Sequence, residues 1–291
     1  MSIVYRDMDQ RALDFQYNNR AHVADPQRHV DWYTTASEVA RARVIQVPGI
    51  VYGPLPDERL DVFTPAGLRK GETRPVVIFV HGGAWQHLGL ACSSFPAETV
   101  TNRGAIYVAL GFRRMPAAGS LDEMVAQVRT ALAWLWLNIE QYGGDCDRMH
   151  LVGHSSGAHL SAMAICTDWP RLHGAPAKLL RSAVVISGIY DLEPVRLSFR
   201  NEILKLDRAG EIRNSPCHNL PANGVPLLVG YGEFETDEFK RQAKDFAAIW
   251  ERRYGNSRLL ELQGLNHYET IETITEAKSA LSREVFAWFA I

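Results

Sequence analysis

The fold of this chain is decided by residues 149–166, which read MHLVGHSSGAHLSAMAIC. Their first four residues form a short apolar run that predicts a buried strand, and residues 158–166 are small and apolar enough to favour a helix. A G-x-S-x-G pentapeptide between a strand and a helix forces its serine onto a sharp, strained turn. The pattern predicts that Ser155 presents its hydroxyl at the open end of a sheet, although glycine and serine are also common in ordinary turns.

A second glycine motif lies about 70 residues upstream. Residues 76–80, VVIFV, predict a fully buried strand, and this strand runs directly into HGGAW at 81–85. Glycines at such a position let backbone N–H groups approach a bound molecule without side chains in the way. Together with the pentapeptide, the motif favours an oxyanion hole made by the amides of Gly82, Gly83 and Ser156. A tight turn that merely ends the strand is the alternative interpretation.

A serine becomes a good nucleophile when a histidine accepts its proton, and motifs of this kind occur in the order serine, acid, histidine. The chain has ten histidines, but only His267 follows His218. It lies just past the predicted last strand, RLLEL at 258–262, and is therefore the predicted base. Three other histidines lie in or beside the two motifs and are predicted to have structural or supporting roles: His81, His154 and His159.

The predicted acid lies after the apolar run PLLVGY at 226–231, where four carboxylates crowd together: Glu233, Glu235, Asp237 and Glu238. Thr236 is a natural N-cap for an amphipathic helix that follows, so the two later carboxylates fall in its first turn and complement the helix dipole. Glu235, on the loop just before the cap and three residues after Gly232, is the preferred acid, with Asp237 as the alternative. Its role would be to orient the imidazole and to stabilise its protonated form.

Composition and length describe an ordinary globular protein. The chain has 291 residues, of which 46% are hydrophobic and 22% charged, so we expect one domain over 1–291. A net charge of −2 gives no sign of a nucleic-acid surface. The sequence has no apolar N-terminal segment and no membrane-length apolar stretch, which predicts a cytoplasmic protein without a membrane partner. Its four widely spaced cysteines predict neither disulfides nor a metal site.

Eight apolar runs with strand character alternate with helical patterns, and they lie at residues 44–51, 59–63, 76–80, 105–110, 149–152, 183–187, 226–229 and 259–262. The longest helical pattern, 121–139, starts at a capping box formed by Ser120 and Glu123. This alternation predicts an α/β fold with a mostly parallel eight-stranded sheet and helices on both faces. Residues 1–42 are expected to form a helical flap, and residues 190–221 a small helical cap over the site.

These motifs resemble the α/β-hydrolase fold, and within it the kynurenine formamidases (arylformamidases) and their bacterial relatives. The HGGAW stretch is similar to the family's HGGxW motif, and GHSSGAHL at 153–160 with TDW at 167–169 is similar to its GHSAGxHL and DW motifs. GEFETDEFKRQ at 232–242 resembles its acid loop, with the carboxylate at Glu235, and NHY at 266–268 its histidine loop. The similarity extends to residues 13–20 and so covers nearly the whole chain.

The resemblance implies a cofactor-independent serine hydrolase that uses Ser155, Glu235 and His267 on a small-molecule substrate. An acyl amide of an arylamine, such as N-formylkynurenine, is the expected substrate. A carboxylesterase or a hydrolase of carbamates or other small amides would use the same machinery, and a catalytically silent ligand-binding protein is a further alternative. The sequence leaves the oligomeric state open, with a homodimer possible.

Four aromatic residues on loops near the site could line the leaving-group pocket: Trp85, Tyr190, Phe234 and Tyr268. Packing against the sheet is the competing interpretation for each of them. Two arginines, Arg113 and Arg196, are candidates to receive a substrate carboxylate, with solvent exposure as the alternative. No metal or organic cofactor is expected.

Overall fold

A single eight-stranded sheet forms the centre of the computed structural model, which describes residues 2–291. Its strands are β1 (Ile45–Val51), β2 (Arg59–Thr64), β3 (Arg74–Val80), β4 (Ile106–Leu110), β5 (Gly144–His154), β6 (Ser182–Ile186), β7 (Leu227–Gly232) and β8 (Ser257–Leu262). They lie in the order β1-β2-β4-β3-β5-β6-β7-β8. All eight predicted strands are present in the positions that the sequence indicated.

The sheet is mostly parallel, as predicted. β2 pairs antiparallel with both β1 and β4, whereas all pairs from β4 through β3 to β8 are parallel. Because parallel strands end at the same edge, the loops that follow β3, β5, β7 and β8 converge there. These four loops carry the glycine motif, the serine pentapeptide, the acidic cluster and the histidine.

Twelve α-helices flank the sheet within residues 2–291: α1 (Gln10–Gln16), α2 (Pro26–Arg43), α3 (Ala97–Thr101), α4 (Leu121–Asn138), α5 (Ser156–Ile165), α6 (Trp169–His173), α7 (Glu193–Leu197), α8 (Asn201–Leu204), α9 (Arg208–Arg213), α10 (Asp237–Tyr254), α11 (Glu269–Glu272) and α12 (Ala280–Phe289). None of the helices described is both long and apolar enough to cross a membrane. The four cysteines are free thiols.

The core lies on both faces of the sheet. Along β3, Val76, Ile78 and Val80 belong to the hydrophobic cluster that includes side chains of α4, α5 and α10. The alternate residues Val77 and Phe79 belong to the opposite cluster, with side chains of α3 and α12. A strand that is covered on both faces has apolar side chains on both faces. This explains why VVIFV, in β3, shows no alternation of apolar and polar residues.

Local sequence signals explain how two long helices begin. α4 starts at Ser120, whose hydroxyl accepts a 3.2 Å hydrogen bond from the Glu123 amide. α10 has Thr236 at its N-cap position, as predicted, but the threonine hydroxyl donates instead to the Gln16 carbonyl at 2.9 Å. The Glu238 amide, in the first turn of α10, is bound by the Gln16 side-chain oxygen at 3.0 Å. A residue distant in sequence thus caps this helix.

The segments predicted as a flap and a cap are both helical and contact each other. Within the flap, residues 2–42 contain α1 and most of α2, while Met1 falls outside the described residues. Between 190 and 221 the chain forms the short helices α7, α8 and α9. The Asp14 carboxylate of α1 accepts a 2.7 Å hydrogen bond from the Phe199 amide, so the two segments are in direct contact.

Candidate active site

Ser155 lies at the turn between β5 and α5 in a strained conformation. Its φ of 55° and ψ of −124° are unusual for a residue with a side chain. Its hydroxyl caps no amide of α5, so it is free to face the open edge of the sheet. A Cβ at Gly157 would come within 2.1 Å of the Val80 carbonyl oxygen, and one at Gly153 within 2.4 Å of the Ser161 hydroxyl. Glycine is therefore required on both sides of the turn.

The loop after β8 places an imidazole beside this serine. His267 Nε2 lies 2.9 Å from Ser155 Oγ, and His267 Nδ1 is hydrogen-bonded to the Glu235 carboxylate from the loop after β7. The second Glu235 oxygen accepts a 2.9 Å hydrogen bond from the Gly232 amide. With Nδ1–H donating to the carboxylate, Nε2 is left as an acceptor for the serine proton. The structure thus brings the three predicted residues into one hydrogen-bonded chain.

The other carboxylates of the acidic cluster have different partners. The Asp237 side chain is 89% exposed and forms an ion pair with Lys240 at 3.4 Å. Glu233 accepts from the Gly264 amide at 2.7 Å, and Glu238 accepts from Arg241 at 2.7 Å. Of these four, Glu235 alone contacts the imidazole, and its side chain is 1% exposed. Asp237 lies in the first turn of α10, as predicted.

A second histidine supports the loop that carries His267. His154 donates from Nε2 to the His267 backbone oxygen at 2.9 Å, and the Thr270 hydroxyl donates to the same oxygen at 2.9 Å. Burial, followed by the repulsion of His267, lowers the pKa of His154 to about 3. His154 therefore stays neutral and acts as a hydrogen-bond donor. The His267 ring also meets Phe239 edge-on, with ring centroids 4.9 Å apart.

The HGGAW loop after β3 lies against the serine turn. A Cβ at Gly82 would be 3.0 Å from the Ser155 Cβ, so the two backbones are adjacent. Gly83 has a φ of +112°, and a Cβ there would clash with the His87 carbonyl oxygen at 2.1 Å. The backbone amides of Gly82, Gly83 and Ser156 have no hydrogen-bond acceptor among residues 2–291. The three predicted donors thus have no partner within the described part of the chain.

These loops enclose a cavity of about 390 Å³. Its lining consists of the serine, its histidine and neighbouring loop residues, together with residues from the flap and from 189–200: Tyr17, Asn19, Arg20, Gln27, Val30, Tyr33, Gly83, Ala84, Trp85, His87, Leu88, His154, Ser155, Ser156, Ile189, Arg200, Phe239, His267 and Tyr268. The volume is within the range of about 300–1,000 Å³ usual for small-molecule sites.

Two of the four predicted pocket aromatics line this cavity. Trp85 and Tyr268 face it, and the Trp85 indole donates to His159 Nδ1 at 3.2 Å. Tyr190 instead lies in the core, stacked on Phe246 with centroids 4.3 Å apart, and Phe234 is 61% exposed outside the cavity. Neither Tyr190 nor Phe234 therefore lies at the predicted pocket position.

The two arginines suggested for a substrate carboxylate lie elsewhere. Arg113 pairs with Asp57 at 3.2 Å, and Arg196 pairs with the buried Glu211 at 2.5 Å. Neither lines the cavity. Arg20 and Arg200 do, and sequence reasoning missed them because no local pattern marks them. The extension of the family resemblance to residues 13–20 was the one signal for Arg20.

The fold and the arrangement of this site define an α/β-hydrolase. A proposed thioesterase from Silicibacter sp. tm1040 superimposes with a TM-score of 0.80 at 23% identity, covering 94% of this chain and 98% of that one. Esterase B from Lactobacillus rhamnosis gives a TM-score of 0.68 at 18% identity, with 94% and 97% covered. Both structural similarities show a shared fold. The BD-FAE family model also matches residues 60–184.

Sequence relatives specify the family more narrowly. The chain is 31% identical to the kynurenine formamidase of Salmo salar, with 96% of each chain covered. It is 30% identical to that of Danio rerio, again with 96% of each covered. The chain belongs to the kynurenine formamidase family and is a hydrolase.

Proposed function

We propose that this protein is a serine hydrolase that cleaves the formyl amide of an arylamine, such as N-formylkynurenine, into formate and the free arylamine. The observation that supports this most directly is the chain of hydrogen bonds from Ser155 through His267 to Glu235, which opens into an aromatic cavity. The family relationship supports the formamide as the substrate.

In the first half of the reaction, Ser155 Oγ attacks the formyl carbon while His267 Nε2 accepts the serine proton. The carbonyl oxygen gains the negative charge and is held by the free amides of Gly82, Gly83 and Ser156. Each such donor typically contributes about 3 kcal/mol to stabilising the transition state. His267 then protonates the amide nitrogen as its bond to carbon breaks, which releases the arylamine and leaves a formyl ester on Ser155.

In the second half, a water molecule replaces the arylamine. His267 accepts a proton from the water as its oxygen attacks the formyl ester, and then returns that proton to Ser155 Oγ as formate leaves. The buried carboxylate of Glu235 stabilises the imidazolium in both halves, since it is already hydrogen-bonded to Nδ1. No step requires a group from outside the chain except water.

The cavity walls suit the two ends of such a substrate. Near Ser155 the wall is backbone of Gly83 and the small residue Ala84, which leaves space for an acyl group. Farther out, the ring of Tyr268 lies where an aryl group can pack, and the buried Trp85 forms part of the same wall. A small acyl group and an aromatic leaving group would thus occupy different parts of one cavity.

The test is a comparison of formate release from N-formylkynurenine with hydrolysis of p-nitrophenyl acetate. We expect turnover of the formamide, and loss of about 10⁴-fold or more in kcat with Ser155→Ala. Incubation with a small aryl phosphonate, followed by peptide mass spectrometry, should place the adduct on Ser155. Turnover of the ester alone would favour the carboxylesterase alternative, and a Ser155→Ala variant with full activity would refute the serine mechanism.

A further inference from the structure

We propose that Arg200, assisted by Arg20, binds a carboxylate on the leaving-group half of the substrate, so that the enzyme selects aryl amides that carry a carboxylate over those that lack one. This inference rests on the proposed function of the cavity and adds a substrate class to it. The carboxylate would lie at the flap side of the cavity, away from the serine.

The cavity carries positive charge that no acidic residue of its lining balances. Arg20 and Arg200 both line the cavity that contains Ser155, and no aspartate or glutamate is among its lining residues. Among residues 2–291, neither arginine takes part in an ion pair. By contrast, Arg196, which lies outside the cavity, is paired with Glu211. Two guanidinium groups therefore face the cavity without an anion supplied by the protein.

The second observation is that Arg200 is held in place. Its Nε and Nη2 donate to the Tyr17 carbonyl oxygen at 3.1 and 2.8 Å, and its guanidinium lies 4.8 Å from the centre of the Phe199 ring. Nη1 makes no hydrogen bond with a described residue. Burial lowers the pKa of the Arg200 guanidinium below its usual value, as expected for a cation without an anionic neighbour. The group still carries its charge at neutral pH, because arginine does not deprotonate in proteins.

The charges of Arg20 and Arg200 both affect the pKa values of the same two side chains, His87 and Tyr268. Burial is the main reason why the pKa of His87 is lowered, and the positive charges of Arg20 and Arg200 lower it further. The same two charges oppose the rise in the pKa of Tyr268 that burial causes. Both guanidiniums are therefore close to one patch of the cavity wall. A carboxylate at this patch would receive charge-assisted hydrogen bonds, which are about twice as strong as neutral ones.

A purely structural role is the competing explanation, since Arg200 also joins the flap to residues 199–204 through the Tyr17 carbonyl. The two roles differ in what they predict. Loss of a structural contact should reduce activity toward all substrates alike. Loss of a carboxylate-binding group should affect the substrate that carries a carboxylate selectively, and chiefly through KM.

The experiment compares N-formylkynurenine with its decarboxylated analogue, N-formylkynuramine, by following arylamine release. For the wild type we expect kcat/KM to be about 30-fold or more higher for the acid. Arg200→Met should lower kcat/KM for the acid about 30-fold, mainly by raising KM, and change that for the analogue less than about threefold. Arg20→Met should act in the same direction but less strongly, because its side chain is more exposed.

The matched control is Arg113→Met, which removes an arginine that is paired with Asp57 outside the cavity and should leave the preference unchanged. Equal wild-type turnover of the two formamides would overturn the proposal. So would a parallel loss on both substrates in Arg200→Met, since that pattern indicates a structural role.

Failure of the proposed function can be recognised separately. If the wild type releases no arylamine from either formamide, the formamidase assignment fails, and the arginines are then tested with 4-acetoxybenzoate and phenyl acetate. A preference for the charged ester that Arg200→Met abolishes would still support carboxylate binding. Absence of such a preference would refute it.

Discussion

The backbone amide of Trp85 donates a 3.1 Å hydrogen bond to the Ser156 hydroxyl, so the loop after β3 is joined to the first turn of α5. Ala84 and Trp85 both have positive φ values, 53° and 62°, which non-glycine residues adopt at a cost in free energy. The hydroxyl compensates by binding an amide that this conformation directs toward α5. The residue after the candidate nucleophile therefore contributes its side chain as well as its backbone.

Ser156→Ala should reduce kcat about tenfold, because the loop that carries the Gly83 amide would lose this contact and hold the oxyanion less well. KM should change less than kcat, since the hydroxyl is already occupied by Trp85. Steady-state kinetics would check this. Ser161→Ala is the matched control, because the Ser161 hydroxyl is buried on the same helix without a hydrogen-bond partner. Equal effects of the two substitutions would show that the Trp85 contact is unimportant.

Glu235→Gln should lower kcat by about 10³- to 10⁴-fold, because a neutral amide can no longer stabilise the imidazolium and can hold the wrong tautomer of His267. Asp237→Asn should stay within about twofold of the wild type, since the Asp237 side chain is 89% exposed and pairs only with Lys240. Values of kcat for both variants, measured on one substrate at saturating concentration, would identify the acid that supports His267. A severe defect in Asp237→Asn with a mild one in Glu235→Gln would reverse the assignment of the acid.

Tyr17→Phe should loosen the N-terminal flap. The buried Tyr17 hydroxyl donates to Glu238 at 3.0 Å and accepts from Gln242 at 2.9 Å, so its removal takes one buried hydrogen bond from each of these two side chains of α10. We expect a loss of about 1–3 kcal/mol in the free energy of unfolding and faster hydrogen exchange in residues 10–22. Tyr142→Phe is the control, because the Tyr142 hydroxyl makes no hydrogen bond with a described residue. Unchanged exchange in Tyr17→Phe would contradict the role of this contact.

Stability should fall as the pH is lowered from about 6.5 toward 4. Burial, the largest cause in each case, lowers the pKa of four histidines in the folded state, to about 4 for His81, His150 and His159 and about 3 for His154. In this range the unfolded chain binds more protons than the folded one, so acid favours unfolding, by about 1.4 kcal/mol for each unit of pKa difference. Above pH 6.5 the contribution is fully present.

Urea titrations between pH 7.5 and 5 would measure this dependence. His150→Gln should make the decline less steep, since it removes one such group far from the cavity while keeping a partner for the Ser182 hydroxyl. His218→Gln, at an exposed position, should leave the slope unchanged. A stability that does not change from pH 7.5 to 5, or an equal effect of both substitutions, would contradict the prediction.

Much of the fold could be predicted because its signals are local. The buried strand VVIFV is apolar on both faces, and the capping box at Ser120 depends on residues three positions apart. The positions of Ser155 and His267 followed from motif and chain order in the same way. For the pocket, local signals were insufficient: Tyr190 and Phe234 are aromatic residues on the expected loops, yet one packs on Phe246 and the other faces solvent.

The sequence by itself determined the order of strands and helices and the residues that must stand at the serine turn, because glycine spacing and apolar runs act through neighbouring residues. Only the tertiary structure decided which carboxylate reaches His267 and which arginines face the cavity. Arg200 and Tyr17 are separated by 183 positions, and their contact exists because the flap folds over the edge of the sheet. Such contacts depend on how segments distant in sequence pack together, and no local sequence pattern indicates that packing.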